Sequence, residues 1–478
     1  MLEISEQDIL QSLRRDNPWW GRQQTADVAG FDKRRAYFDA FRDLCLNWDV
    51  RRTVILMGPR RVGKTVMLQQ LVADAIASGF QPDSILFASL DTPLYSGMPL
   101  ESVLALFEKR TEHDPGSRRL VIFDEVQYHK DWEVHLKVLT DRHPKTRFIA
   151  SGSAAAALRL KSQESGAGRF TDFFLPPLTF AEFLDFSDLE TVLIQPQDHG
   201  RTLRYQTNDI DRLNTEFINY LNFGGYPETV LTPEVRTDTP RYVGRDIVDK
   251  VLLRDLPSLY GIQDIQELNR LFTTIAYHSG QEISLDGLAS RSGVAKNTIS
   301  RYLEYLEAAF LIVRVRRVDE SGKTFKRMRQ FKAYLTNPSM RAALFAPLDD
   351  GDEALGTMAE TAIFSQWSHS DLLRNIHYAR WKSGRQDREV DLVRIDPANL
   401  KPTWAYEIKW SDRHVKQPGQ LQGLVDFALK NGVNRVPVGA TTKTQTAETI
   451  VKGVKIKHFP CALHCYQIGR NVIEGRPA

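Results

Sequence analysis

Short, unbroken apolar runs separated by amphipathic stretches mark the first third of the chain. Thr53–Met57, Ser84–Leu90, Leu120–Phe123 and Arg147–Ala150 are apolar on both alternating faces, and Leu100–Lys109 and Trp132–Arg142 between them carry helical periodicity. Continuous apolar strands alternating with helices predict a parallel sheet covered on both faces. Upstream, Ser5 to Arg15 is predicted as a short helix ended by Asn17-Pro18-Trp19-Trp20, whose indoles suit a packing clasp or a place beside a nucleotide base. Downstream, Phe170–Leu175 is strand-like and Pro176–Leu184 feeds a short helix. Residues 185–215 are polar and weakly patterned, as a flexible insertion would be. Phe217–Val251 is mainly helical, interrupted at Gly224–Glu228.

A second pattern begins near Asp264. Helices are predicted over Ile265–His278, Ser284–Arg291 and Lys296–Ala309, followed by strands Leu311–Val315 and Phe331–Leu335. Three helices and a two-stranded ribbon make a winged helix-turn-helix. Ile299, Leu303, Leu306 and Phe310 would pack inward, leaving Lys296, Asn297 and Arg301 to meet a groove. The ribbon adds Arg314, Arg316, Arg317, Lys323, Lys326, Arg327, Arg329 and Lys332. The last unit, from about Met358, reads as helix, hairpin, strand and helix.

The chemistry concentrates at the ends of these runs. Gly58-Pro59-Arg60-Arg61-Val62-Gly63-Lys64-Thr65 lies between an apolar strand and a helix, the context of a phosphate-binding loop. Its N–H groups and the helix start converge on an anion, Lys64 reaches the β- and γ-phosphates of ATP, and Thr65 holds Mg2+. Asp124 closes the third strand and would hold the magnesium, with Glu125 polarising the attacking water. Ser151 or Ser153 would sense the γ-phosphate, and Ser153 is slightly preferred. Arg169 would steady transition-state charge in cis or in a neighbouring subunit of a homo-oligomer, or else form a surface ion pair.

Alternation is informative again near the C-terminus. In Arg388–Val393, Asp391 lies opposite Val390 and Leu392, and in Trp404–Trp410, Glu407 and Lys409 share one face. Asp391, Glu407 and Lys409 would therefore meet in one pocket, with Glu360 from the helix Gly356–Trp367 beside them. The carboxylates suit Mg2+ or Mn2+, and Lys409 would orient water or stabilise charge on phosphorus. Glu389 faces the same way as Asp391 and is an alternative partner. The competing reading is a salt-bridged strand pair, or a decayed nuclease kept for packing.

Composition narrows the setting. The 478 residues allow two to four domains, and 42% apolar with 26% charged residues describe a globular protein. No apolar run is long enough to span a membrane, Met1–Ser5 does not begin a secretory signal, and three cysteines make no disulfide framework. Cytoplasm is the expected location. A net charge of +3 means that any DNA-binding surface is local. Cys461, His464, Cys465 and His458 lack a second ligand pair and read as a terminal strand and its flank.

Gly58–Thr65, Phe123-Asp124-Glu125, Ser151-Gly152-Ser153, Gly168-Arg169, Pro177–Phe183 and Gly224–Glu228 together resemble a family of prokaryotic AAA-type ATPases. Its members carry a C-terminal domain similar to PD-(D/E)XK nucleases, and Glu360…Asp391…Glu407-Ile408-Lys409 follows that pattern, with Val390 where the motif has proline. The resemblance covers nearly all the chain except 185–215. It implies an α/β chain: an N-terminal helical segment (1–45), a five-stranded parallel P-loop ATPase core (46–184), an insertion and helical lid (185–262), a winged helix (263–345) and a restriction-nuclease-like α/β domain (346–478). The function expected is an ATPase coupled to a metal-dependent nuclease in DNA repair, recombination or defence. The alternatives are a nucleotide-switched DNA- or protein-binding regulator with an inactive nuclease-like end, or a remodeller of protein partners.

Overall fold

A computed structural model describes residues 5–21, 32–95, 97–110, 117–152, 168–198, 203–325, 330–368, 370–432 and 436–476. The chain divides into two compact units, residues 1–176 and 177–478.

The first unit is built on five parallel strands: β1 (Thr53–Met57), β2 (Ile85–Ser89), β3 (Arg119–Asp124), β4 (Thr146–Gly152) and β5 (Phe170–Phe174), in spatial order β2-β3-β4-β1-β5. Every residue of β1 is buried, as is nearly all of β2, β3 and β4, because helices cover both faces. Register brings Met57 beside Gly152 and Ser89 beside Asp124, so the chemistry-bearing turns leave one edge of the sheet together. The edge strand β2 is clamped by the tryptophan segment. Asn17 brackets Phe87 with two 2.7 Å bonds, from its Nδ2 to the Phe87 carbonyl and from the Phe87 N–H to its Oδ1. Both indole N–H groups donate to the carbonyl of Ile85. Both rings are buried, and Ile85 begins β2, at the end opposite the phosphate-binding loop, so the pair serves as a clasp.

The second unit centres on nine strands. These are β8 (Glu282–Ser284), β9 (Ile312–Val318), β10 (Gln330–Leu335), β11 (Ile376–Ser383), β12 (Gln386–Ile395), β13 (Pro402–Glu407), β14 (Val438–Thr442), β15 (Ala447–Val451) and β16 (Val454–Pro460). Their order is β15-β16-β14-β13-β12-β11-β9-β10-β8. The ribbon of the middle segment and the C-terminal strands are thus one sheet, joined where Tyr378 and Ala379 of β11 pair with Arg317 and Val318 of β9. One apolar cluster packs Phe180, Phe217, Tyr220 and Trp367 with Tyr378 and Leu392; a second gathers Trp381, Val393, Ala405 and Phe427.

The Pro177–Phe183 and Gly224–Glu228 motifs meet in this unit as a structural joint. Leu178 N–H donates to the Gly225 carbonyl, Thr179 and Glu182 form a capping box on the helix Phe180–Phe186, and Phe180 N–H donates to Gln366 Oε1. Residues 185–215 contain a helix, Glu190–Leu193, and a hairpin, β6 (Ile194–Asp198) with β7 (Leu203–Thr207), before the helix Ile210–Phe223. The segment expected as a weakly patterned, flexible insertion thus carries regular secondary structure. Its strands are five residues each, too short for their alternation to stand out, with Ile194 and Tyr205 turned into the core and glutamine pairs such as Gln206 to Gln195 at 3.2 Å on the other face.

His458 on β16 and Cys461 and Cys465 on the helix Cys461–Ile473 are buried, and His464 on the same helix is half-buried. Among the described residues no group of three or more His, Cys, Asp or Glu side chains is arranged to hold a metal ion. His464 stacks on Tyr406 at 5.4 Å, and burial pushes its pKa down to about 4. The unfolded chain, with histidine near 6.5, therefore binds a proton that the fold refuses between pH 6.5 and 4. Stability falls as pH drops through that window. His414, His458 and His377 are pushed down by burial as well, so thermal melts at pH 7.5 and 5.5 should show a loss at the lower pH of which His464→Phe removes about 1 kcal/mol. An equal loss in the variant would assign the effect elsewhere.

Candidate functional site

The loop between β1 and the helix Lys64–Ala77 is shaped by two close constraints. A Cβ on Gly58 would stand 2.1 Å from the carbonyl oxygen of Leu175, so only glycine lets the chain pass there. Gly63, at φ +94°, turns the loop into the helix without a side-chain cap, which leaves the first N–H groups directed at the loop. Arg61 also takes a left-handed backbone, at φ +63°. Lys64 is buried, its ammonium 3.1 and 2.8 Å from the carbonyls of Gly58 and Pro59. Arg60 donates to the Tyr128 hydroxyl at 2.7 Å.

Thr65 Oγ1 donates to Asp124 Oδ2 at 2.8 Å, and Ser151 Oγ donates to Asp124 Oδ1. The Ser151 hydroxyl also accepts from Glu125 N–H at 3.1 Å, and Glu125 leaves the strand in a left-handed turn at φ +58°. Burial and the neighbouring Glu125 push Asp124 up to about 6. A carboxylate so burdened beside a threonine hydroxyl is a fitting ligand for a hard divalent cation, whose charge offsets the cost of burial. Lys64, Thr65, Asp124, Glu125 and Ser151 are therefore gathered. Ser153 lies outside the described residues.

Arg169 is placed elsewhere. It precedes β5 at the end where Thr53 pairs with Phe170, and it forms a half-exposed ion pair with Asp141 at 2.6 Å. The length of β5, ~13 Å, separates it from the edge that carries the loop. Action in cis is corrected by this placement. Arg35, which the sequence did not mark, is buried beneath the loop, donating to the carbonyls of Val62 at 2.6 Å and Pro176 at 2.9 Å. It lies in an unpatterned segment, so periodicity gave no signal.

In the second unit Glu360, Asp391, Glu407 and Lys409 come together. Lys409 Nζ is 2.7 Å from Glu407 Oε1 and 3.8 Å from Asp391 Oδ2, and Ile408 N–H donates to Asp391 Oδ2 at 2.9 Å. Burial and the charge of Asp391 push Glu407 up to about 8, and burial raises Glu360 to about 7. Burial opposes ionisation of Asp391 too, but Lys332 and Lys409 hold its carboxyl below its ordinary range. Glu407 Oε2 is buried with no hydrogen-bond partner, an oxygen that a cation would satisfy. Carboxylate oxygens are the donors that Mg2+ or Mn2+ takes, but with Lys332 and Lys409 among them these carboxylates are not arranged as a group that could hold a metal ion.

The expected DNA-facing set divides. Lys296, Asn297, Arg301 and Arg316 are exposed, with Lys296 paired to Asp286. Arg317 instead donates to the Arg380 carbonyl at 2.9 Å and faces Glu282 at 3.6 Å, and Arg314 pairs with Glu307. Both are held by the protein. Lys332, counted with the ribbon's charges, is buried among the carboxylates. Lys326 and Arg327 lie outside the described residues.

Fold and loop define the first unit as an AAA-type P-loop domain: residues 50–184 match the model of the AAA domain. Residues 214–352 match a domain of unknown function (DUF8612). An uncharacterized protein of Haemophilus influenzae is 26% identical over 279 residues, covering 57% of this chain and 64% of that protein. One of Methanocaldococcus jannaschii is 21% identical over 314 residues, covering 63% and 65%. The match thus spans less than two thirds of either relative. Among solved structures, AMPPCP-bound DnaA from Aquifex aeolicus aligns with a TM-score of 0.28 at 14% identity, over 59% of this chain and 91% of that one. C. elegans PCH-2 aligns at 0.24 and 14% identity, over 43% and 59%. Scores this low are partial overlaps and carry no functional weight. No helix among the described residues is long and apolar enough to cross a membrane.

Proposed function

We propose that the protein hydrolyses ATP with Mg2+ and uses the cycle to govern DNA contact and cleavage by its second unit. The observation that carries the hydrolytic half is the Thr65–Asp124–Ser151 hydrogen-bonded set beside the buried Lys64. In this reading Lys64 binds the β- and γ-phosphates, Thr65 and Asp124 hold the metal, and Glu125 orients the attacking water. Ser151 keeps Asp124 in place. Arg169 would serve only in trans, against the site of a neighbouring copy.

Two features support the DNA half. The order helix, short strand, two helices and ribbon over Ile265–Leu335 is that of a winged helix, and Lys296, Arg301 and Arg316 stand exposed on it. Asp391 and Glu407 on strands, Lys409 just beyond the end of β13 and Glu360 on a helix have the composition of a metal-dependent phosphodiesterase site. Glu389 stands beside them. When bound, the metal would polarise phosphate and water. Lys409 would stabilise charge on the phosphate oxygens, and the buried surroundings exclude bulk water.

Changing Lys296, Arg301 and Arg316 together to glutamine should reduce the slope of log affinity against log salt by about 3 on duplex DNA. An unchanged slope would remove this surface from the proposal. The decisive experiment follows linear, branched and single-stranded DNA with Mg2+ or Mn2+, with and without ATP, comparing the native protein with Lys64→Ala. Cleavage that responds to ATP only in the native protein is expected. Absence of cleavage on every substrate, with ATP-dependent binding retained, would favour the regulator with an inactive nuclease-like end. That second reading draws support from Lys332, whose ammonium already neutralises part of the cluster.

A further inference from the structure

Glu125 holds a backbone conformation that few residues with a side chain adopt. Its φ of +58° lies in the left-handed region, which persists only where the surroundings over-determine it. Those surroundings act from both sides. Behind it, the Ser151 hydroxyl on β4 accepts from the Glu125 N–H at 3.1 Å. Ahead of it, the turn Val126–Tyr128 closes through Tyr128 N–H to the Glu125 carbonyl at 3.2 Å and His129 N–H to the Val126 carbonyl at 2.9 Å. Val126 is buried, and the Tyr128 hydroxyl accepts from Arg60 of the phosphate-binding loop at 2.7 Å. The His129 Nε2 lies 2.6 Å from the carbonyl oxygen of Met98. The backbone that carries Glu125 is thus tied to β4, to the loop and to the segment before the helix Leu100–Arg110.

A fixed backbone still leaves a glutamate three side-chain torsions. Gln127 restrains them: its Nε2 amide donates to Glu125 Oε2 across the turn. A carboxylate that polarises water has to stand within about 2.6–3.2 Å of it, along the line of attack. With one oxygen anchored, the group is left a pivot about that bond. An amide suits this task. Lysine or arginine in its place would also orient the carboxylate, but their charge would favour the ionised form and make it a poorer acceptor of the water's proton. A neutral N–H directs Glu125 at a smaller cost in basicity.

We propose that Gln127 is a positioning residue for ATP hydrolysis. Its amide holds the Glu125 carboxylate in the orientation that meets the attacking water, and so it sets turnover without adding to nucleotide affinity. This rests on Glu125 being the residue that orients that water. It extends the hydrolytic set by one residue beyond Phe123-Asp124-Glu125, on the turn that Tyr128 joins to the phosphate-binding loop.

The test is a double-mutant cycle in the full-length protein. Single-turnover hydrolysis of γ-labelled ATP with Mg2+ reads the chemical step, and titration of AMPPCP reads nucleotide affinity. Gln127→Met keeps the length of the side chain and removes the donor. It should slow the step at least about tenfold and leave AMPPCP affinity within about twofold. In a Glu125→Gln background the same change should alter the residual rate by less than about twofold, because the carboxylate through which Gln127 acts is gone. An equal loss in both backgrounds would make Gln127 a structural residue of the turn and overturn the proposal. A native rate in Gln127→Met, or a loss that AMPPCP binding shares, would overturn it too. Each of these results leaves the hydrolytic reading standing, provided Lys64→Ala abolishes turnover. A native protein without ATP turnover would remove that reading and the positioning role with it. Should Gln127→Met fail to fold, Gln127→Asn takes its place. Its amide is one methylene short of Glu125, so the same loss is expected and a native rate overturns the proposal.

Discussion

Lys64→Ala should slow ATP turnover by at least about a hundredfold while leaving the fold intact. The loss of one preorganised charge at a phosphoryl-transfer site costs on this scale. Here the ammonium is buried and its partners include the loop's own carbonyls at Gly58 and Pro59. A triphosphate is a far stronger partner for a cation than two neutral carbonyls. Alanine is a good helix former at the first position of Lys64–Ala77, so the helix start is preserved. Phosphate release under saturating ATP, with melting temperature as the control, measures the effect. Turnover within threefold of the native protein at an unchanged melting temperature would take Lys64 out of the chemistry.

Asp391→Ala carries the largest structural consequence. It removes the carboxylate that lies between Lys332 at 3.3 Å and Lys409 at 3.8 Å, and it frees the Ile408 N–H. Breaking a buried charge network from one side costs about 3–5 kcal/mol, because the remaining charges stay desolvated. Asp391→Asn keeps the shape and an acceptor for Ile408, so it should recover part of that loss. Denaturant melts of both variants read the stability, and cleavage assays read the chemistry. Both variants should lose any metal-dependent cleavage. A stability change below 1 kcal/mol in Asp391→Ala would mean that the cluster is open to water.

How far the sequence reaches is visible residue by residue. The buried strands β1 to β4 were legible because covering a sheet on both faces leaves an uninterrupted apolar run. Asp391, Glu407 and Lys409 were legible because alternation along a strand fixes which side chains share a face. Lys332 was not. In Gln330–Leu335 only the first residue is exposed, and the carboxylates that bury the lysine are 28 and 59 residues further on. Local composition therefore counted it as a solvent-facing charge. Arg317 failed for a similar reason: its acceptor at Arg380 is on a strand that joins β9 only in the folded sheet. Arg169 shows another limit, since a motif next to a strand does not say which end of the sheet it occupies.

The ladder between β9 and β11 also bears on how the chain can be taken apart. A fragment ending near Phe345 would keep the whole helical and ribbon segment, yet it would strip β9 of the partner formed by Tyr378 and Ala379. Exposed backbone donors and acceptors on such a strand seek another copy, so that fragment invites aggregation. A fragment beginning at Pro177 keeps all nine strands paired in their native order. The ribbon and the carboxylate site are therefore best expressed as one piece.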